Sequence, residues 1–251
     1  MIKEKETLMK KISILAAAIV FLAPAFVPPA AGQAIQPATV WQKMPDFTLP
    51  VFQGGELKLS SLHGKTVLLI FLRGLAGEGH WCHICNYQYA DLVEWEKTKS
   101  VRKADNLEII FVLPYGRELV QNWVDKFPDQ LKDIEAWKNP PDAGTLDEKG
   151  KARVELMRRN FPNVYLYEKG AVPLPFPILL DADRAVTKSL GIFTTEWGGA
   201  KIDQDVPTLF IIDPQGIVQM KYISQNTWDR PSAAYLIKFI ENMARLWGST
   251  P

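Results

Sequence analysis

The chain holds two cysteines, Cys82 and Cys85, three positions apart in Trp81-Cys82-His83-Ile84-Cys85. An apolar, strand-like run precedes them and a helix-like run follows. A thiol at a helix N-terminus is stabilised as thiolate by unpaired backbone N–H groups and the helix dipole. A second thiol one turn further on can resolve a mixed disulfide. A structural bridge over so short a loop would remove little unfolded-state entropy, so the spacing argues for chemistry over stapling. His83, between the two, would favour a nearby thiolate when protonated and do little as an exposed spacer. The thiols together with His80 or His83 would also make a soft ligand set for copper or zinc. That reading is short of ligands, because the one other histidine is His63. Covalent haem attachment is excluded by pattern, since Asn86 follows Cys85 where a His is needed. The site is therefore read as needing neither metal nor cofactor.

The elements that must position the pair are legible around it. Thr66 to Leu72 is a nearly continuous apolar run, expected of a strand covered on both faces. Arg73 to His80 carries three glycines and reads as a loop. From Cys82 to about Lys97 there is no Pro or Gly, which suits a helix; Leu107 to Leu113 reads as another buried strand. Strand, helix, strand in that order is a right-handed parallel crossover. Phe47–Leu49 and Glu56–Leu59 are short strands around Gly54-Gly55, and a brief helical turn follows at Ser60–Lys65. Residues 115–174 are charged and helical, with helices over Glu118–Phe127 and Lys151–Asn160 and a break at Pro140-Pro141. They read as an insertion, a solvated decoration or lid on the core. Phe176–Leu180, Leu209–Ile212 and Ile217–Ile223 are further strands, the last two joined by a turn at Asp213-Pro214-Gln215-Gly216. Ala185–Leu190 is a short helix, and Ser232 to Trp247 an amphipathic one.

At 251 residues and 47% hydrophobic, the chain suits one α/β domain over about 40–250. Lysines at 3, 5, 10 and 11, an apolar stretch from Ile12 to Val27, then prolines and small residues up to Ala34, form the pattern of a secretory signal peptide over 1–34. The same pattern also fits an uncleaved N-terminal membrane anchor. Both place the folded part in the periplasm or otherwise outside the cytoplasm. Segment 1–34 carries four Lys and two Glu, so its removal takes the formal charge from +1 to −1. Such a balance gives no basis for a nucleic-acid partner, and any membrane contact would come from the anchor alone.

The chain resembles the thioredoxin superfamily, especially its exported thioredoxin-like reductases and the neighbouring redoxin group, AhpC/TSA or peroxiredoxin-like. The resemblance lies in Met44-Pro45-Asp46-Phe47-Thr48-Leu49-Pro50, Leu62-His63-Gly64-Lys65-Thr66-Val67-Leu68-Leu69, Trp81-Cys82 through Cys85, and Val206-Pro207-Thr208-Leu209-Phe210-Ile211-Ile212-Asp213. It implies a thioredoxin-like fold, a central mixed β-sheet flanked by helices, with 115–174 as a helical insertion. It further implies that Cys82 attacks and Cys85 resolves. By the same resemblance Pro207 is cis beside the dithiol, leaving backbone groups around Val206 free to pair with an extended substrate, with Trp81 at the same surface. Read without it, Pro207 merely heads a strand.

Two chemistries follow. As an extracytoplasmic thiol–disulfide oxidoreductase, the protein would exchange or reduce disulfides of a protein substrate and be recharged by a reducing partner. As a peroxiredoxin-like thiol peroxidase, its Cys85 would fall on the peroxidatic position, Cys82 on that of a Thr, and Gln88 where an acid or Gln is frequent. Peroxiredoxins commonly carry an arginine where Pro207 stands, and the missing cation tips the choice toward disulfide exchange. Arg73 is the substitute nearest in sequence. The buried Asp that thioredoxins keep before the dithiol is matched by Ile70, with Glu78 and His80 as candidate replacements.

Overall fold

The computed structural model describes residues 38–247, so the leader read over 1–34 lies outside the described residues. The central sheet has the order β11-β10-β3-β6-β7, built from β3 (Thr66–Phe71), β6 (Leu107–Leu113), β7 (Ile178–Leu180), β10 (Thr208–Ile212) and β11 (Val218–Ile223). Strands β3, β6 and β7 are parallel, while β10 runs antiparallel to both β3 and β11. The sheet is therefore mixed, as expected of a thioredoxin-like fold. Every residue of β3 is buried, and alternation divides them. Leu68 and Ile70 pack into the core on one face, and Val67, Leu69 and Phe71 into the core on the other.

Helix α1 (His83–Lys99) leaves the carboxyl end of β3 through a short excursion and returns to β6 by way of α2 (Val101–Ala104). The glycine-rich excursion, read as a loop, contains a small antiparallel pairing of β4 (Leu75–Gly77) with β5 (His80–Trp81). A short pair, β1 (Thr48–Pro50) with β2 (Glu56–Lys58), leads into a 3-10 turn at Leu59–Leu62 ahead of β3.

The stretch 115–174 contains α3 (Arg117–Lys138) and α4 (Glu148–Asn160). Helix α3 does not stop at Phe127: it continues through Pro128. A proline inside a helix costs about 3 kcal/mol. Val120, Trp123, Phe127, Leu131 and Ile134 are all buried at helical spacing on either side of it, and that continuous apolar face outweighs the lost bond. The helix is thus no solvated decoration, since one face is part of the core on the α1 side of the sheet.

A further element was not read from the residues: the hairpin of β8 (Phe193–Trp197) and β9 (Ala200–Asp205). Gly198 and Gly199, at φ +57° and +80°, make its turn. Two successive positive φ values suit a two-residue hairpin loop of the type that glycine favours. After a short helix α5 (Ala185–Ser189) and this hairpin, the chain finishes in α6 (Ala233–Trp247), whose Leu236, Ile237 and Ile240 are buried. Among the described residues no helix is long and apolar enough to cross a membrane.

Candidate active site

Cys82 is the N-cap of α1, with extended backbone at φ −71° and ψ 106°. Its N–H donates to the Gly74 carbonyl at 2.9 Å, and its Sγ accepts the Cys85 N–H at 3.4 Å. Gly74 has φ +78°, and a Cβ there would meet the Tyr115 ring at 2.3 Å. Only glycine lets the chain pass so close to Tyr115. Tyr115 in turn accepts from the Leu75 N–H at 2.9 Å and donates to the Asp203 carbonyl at 2.8 Å, tying the β4–β5 excursion to the β8–β9 hairpin.

Both cysteines are free thiols, Cys82 3% and Cys85 1% exposed. Burial pushes both thiols up, and the rest of the surroundings separates them. At Cys85 burial is outweighed by the hydrogen bond from the Cys82 thiol, the charge of the Arg230 guanidinium and the Arg73 backbone N–H, bringing it down to about 6. Cys82 stays well above the ordinary thiol value, because burial is reinforced by its bond to Cys85 and by the neighbouring negative charge. The anion of the pair sits on Cys85.

Arg230 is the cation that the residues did not reveal. It lies in the segment between β11 and α6, where its Nη1 donates to Ser224 Oγ at 2.8 Å and the Asp229 carbonyl at 3.0 Å and forms an ion pair with the Asp229 carboxylate at 3.5 Å. Its Nε and Nη2 are buried without a hydrogen-bond partner, so its effect on Cys85 is one of charge more than of an aligned bond. Gln88 Nε2 is likewise buried without a partner; Gln88 and Arg230 are both lining residues of a cavity of about 110 Å3. A larger cavity of about 240 Å3, around Lys43, His63 and Asp213, opens near the start of β3, at the end opposite the thiols.

Several other expectations are corrected. The Val206–Pro207 bond is trans, as no cis peptide occurs among the described residues. Nor are the backbone groups around it free: the Val206 N–H donates to the Ile192 carbonyl at 2.8 Å, and the Pro207 carbonyl accepts the Ser224 N–H at 2.9 Å. Ile192, just before β8, and Ser224, just after β11, hold the backbone groups that an extended substrate would need. Trp81 is fully buried, its Nε1 on Asn122 Oδ1 at 2.9 Å, and so offers no contact surface. Arg73 turns its guanidinium away, to Gln204 Oε1 at 2.7 Å and the Trp197 carbonyl at 2.9 Å; only its backbone reaches Cys85.

Glu78 and His80 stay in the excursion, with His80 Nδ1 2.7 Å from the Glu78 carbonyl oxygen, and neither replaces the missing Asp. His83 does not act on the thiols; its Nε2 lies 3.0 Å from Asp133 of α3, with its ring 4.5 Å from that of Trp137. Among the described residues no three His, Cys, Asp or Glu side chains come together to hold a metal.

Residues of α3 that carried no chemical signal in the sequence hold the start of α1. Besides Asn122 on Trp81 and Asp133 on His83, Trp123 Nε1 donates to Asn86 Oδ1 at 2.7 Å. The long apolar spacing across Pro128 was the one trace of this role.

Residues 40–221 match the AhpC/TSA family. No curated protein matches the chain. Among solved structures, the reduced 2-Cys peroxiredoxin of Plasmodium vivax superposes with a TM-score of 0.53 at 16% identity, over 85% of this chain and 86% of that one. A cysteine-to-serine mutant of the peroxiredoxin 6 of Arenicola marina gives 0.54 at 12% identity, over 84% and 76%. These likenesses bear on the fold, while the family match spans most of the chain. With a thioredoxin-like mixed sheet and a buried dithiol at the head of its first long helix, the chain belongs to the AhpC/TSA family of redoxins, and is an oxidoreductase.

Proposed function

We propose that the protein is a thiol peroxidase in which Cys85 attacks a hydroperoxide and Cys82 resolves the product. The observation that carries this reading is Arg230 beside Cys85, which supplies the cation missing at position 207. The Cys85 thiolate attacks the terminal peroxide oxygen: an S–O bond forms, the O–O bond breaks, and the departing alkoxide takes up a proton. The Cys82 thiol then condenses with the sulfenic acid, giving a disulfide and water. An external thiol returns the couple to its reduced form. Burial of both sulfurs, and the occupied backbone around Val206 and Pro207, favour a small oxidant over a docked protein disulfide.

Protein-disulfide exchange is the second reading, favoured by the place of Cys82 at the helix N-cap, where a thiolate is also stabilised. The two separate in one assay: the reduced protein, recycled by dithiothreitol, is given either a hydroperoxide or insulin. Saturable hydroperoxide consumption without faster insulin reduction supports the peroxidase. Insulin reduction alone would replace it with the oxidoreductase. Export belongs to the same proposal, on the strength of the leader pattern, and fractionation of cells carrying the full chain tests it.

A further inference from the structure

Tyr115 touches the residues that frame the backbone of Cys82. Strand β6 lies parallel to β3 with Phe71 opposite Val112, and the same register carried past the strand ends brings Gly74 beside Tyr115. The Tyr115 ring fills the space that a Cβ on Gly74 would take, and the Gly74 carbonyl accepts the Cys82 N–H at 2.9 Å. The same ring stands edge-on to Trp81, the residue before Cys82, with centroids 5.6 Å apart at 84°. Its hydroxyl accepts the Leu75 N–H and donates to the Asp203 carbonyl of β9, and Leu75 is paired with Trp81 in the β4–β5 ladder. Gly74, Leu75 and Trp81 are thus all met by one side chain, itself 3% exposed. From α3, Asn122 holds the indole N–H of Trp81 at 2.9 Å.

We infer that Tyr115 is a positioning residue for the dithiol, with Asn122 as a second support on Trp81: its hydroxyl pins the β4–β5 excursion so that Cys82 meets Cys85 with its sulfur already on the Cys85 N–H. Joining the two sulfurs forms one S–S bond. Two electrons, and the protons that the sulfurs carry, pass to an external disulfide, whose own S–S bond breaks to give two thiols. With the excursion pinned, the ordering of Cys82 is met by folding and closure adds little to it. Without the hydroxyl, reduced Cys82 is freer and closure must order it, so the disulfide becomes easier to reduce. The inference rests on Cys82 and Cys85 being a redox couple, and does not depend on what oxidises them.

The test equilibrates the full protein with reduced and oxidised dithiothreitol and reads the disulfide fraction by alkylation and mass, in the wild type and three variants. Tyr115→Phe keeps the ring on Gly74 and Trp81 and removes only the hydroxyl. The equilibrium constant for reduction should rise about tenfold, the scale of one hydrogen bond, or about 30 mV. Asn122→Ala, at an exposed position, frees the Trp81 indole and should move the constant in the same direction. Tyr89→Phe is the matched control: its hydroxyl, on the Pro173 carbonyl at 3.1 Å, bonds outside the excursion, and its constant should stay within about twofold of the wild type. A constant for Tyr115→Phe that matches the wild type, or moves no further than that of Tyr89→Phe, overturns the inference. Should Tyr115→Phe fail to fold, an unchanged Asn122→Ala overturns it instead. Wild-type protein that forms no Cys82–Cys85 disulfide would overturn the couple itself. No hydroperoxide enters this measurement, so failure of the peroxidase reading and failure of the positioning role show up separately.

Discussion

Cys85 and Arg230 set the reactivity at the scale of single residues. With the thiol held down to about 6, the thiolate predominates above that pH and is lost as pH falls through it. The rate of reaction with hydroperoxide should therefore rise with pH through an inflection near 6 and level off. In Arg230→Met the inflection moves up toward the ordinary thiol range. At pH 7 the thiolate fraction, and with it the rate, should drop about thirtyfold; stopped-flow kinetics across pH checks both. Gly74→Ala tests the positioning of Cys82, because a Cβ there combines positive φ with a collision against Tyr115. A loss of at least about 2 kcal/mol in urea unfolding is expected. The pair Cys82 and Cys85 was legible from spacing alone. Arg230 was not, since it reaches the site from a segment far downstream and no local pattern marks it.

Elements differ in how strongly their local sequence marks them. Strands β3 and β6 announced themselves as apolar runs because both of their faces are covered. Helix α3 was cut short at Pro128 because the local cost of a proline is visible in a sequence and the burial that offsets it is not. The β8–β9 hairpin is weakly marked in the sequence although Gly198-Gly199 is a fair turn signal, since β8 has no buried residue and β9 buries mainly polar side chains, Gln204 and Asp205. That hairpin ends in Asp205, whose two carboxyl oxygens are buried without a hydrogen-bond partner. Burial pushes this carboxyl well up, the neighbouring Asp181 adds to the shift, and Thr187 and Arg184 offset only part of it. The folded state therefore holds a proton that the unfolded state releases near pH 4. Stability from this group is present at low pH and declines as pH rises above that value toward the folded-state value. Asp205→Asn should remove the decline. It should raise Tm at pH 8 by roughly 2–4 °C, about 1 kcal/mol, with the difference vanishing toward pH 4; thermal melts across pH check it.

Over the whole molecule, the fold closes the dithiol off. The insertion holds Trp81 through Asn122 and the start of α1 through Trp123 and Asp133, and Ile192 and Ser224 occupy the backbone beside Pro207. A redox couple buried in this way should distinguish reagents by size. In the reduced native protein, a polymer-linked maleimide should label Cys82 and Cys85 at least about tenfold more slowly than in urea, while small hydroperoxides oxidise the native protein readily. Gel-shift labelling against time checks this. The overall fold could be read from the order of four short motifs. The closure could not, because it depends on long-range contacts made by the insertion and the hairpin.

The central claim is that Cys85 is the sulfur that meets the oxidant. The direct measurement treats reduced Cys82→Ser protein with one equivalent of hydroperoxide in the presence of dimedone and maps the adduct by mass spectrometry. The account expects a single adduct on Cys85, formed faster than on a free thiol in solution because the Arg230 charge still favours its thiolate. An unmodified Cys85, or one oxidised no faster than a free thiol in solution, would contradict it.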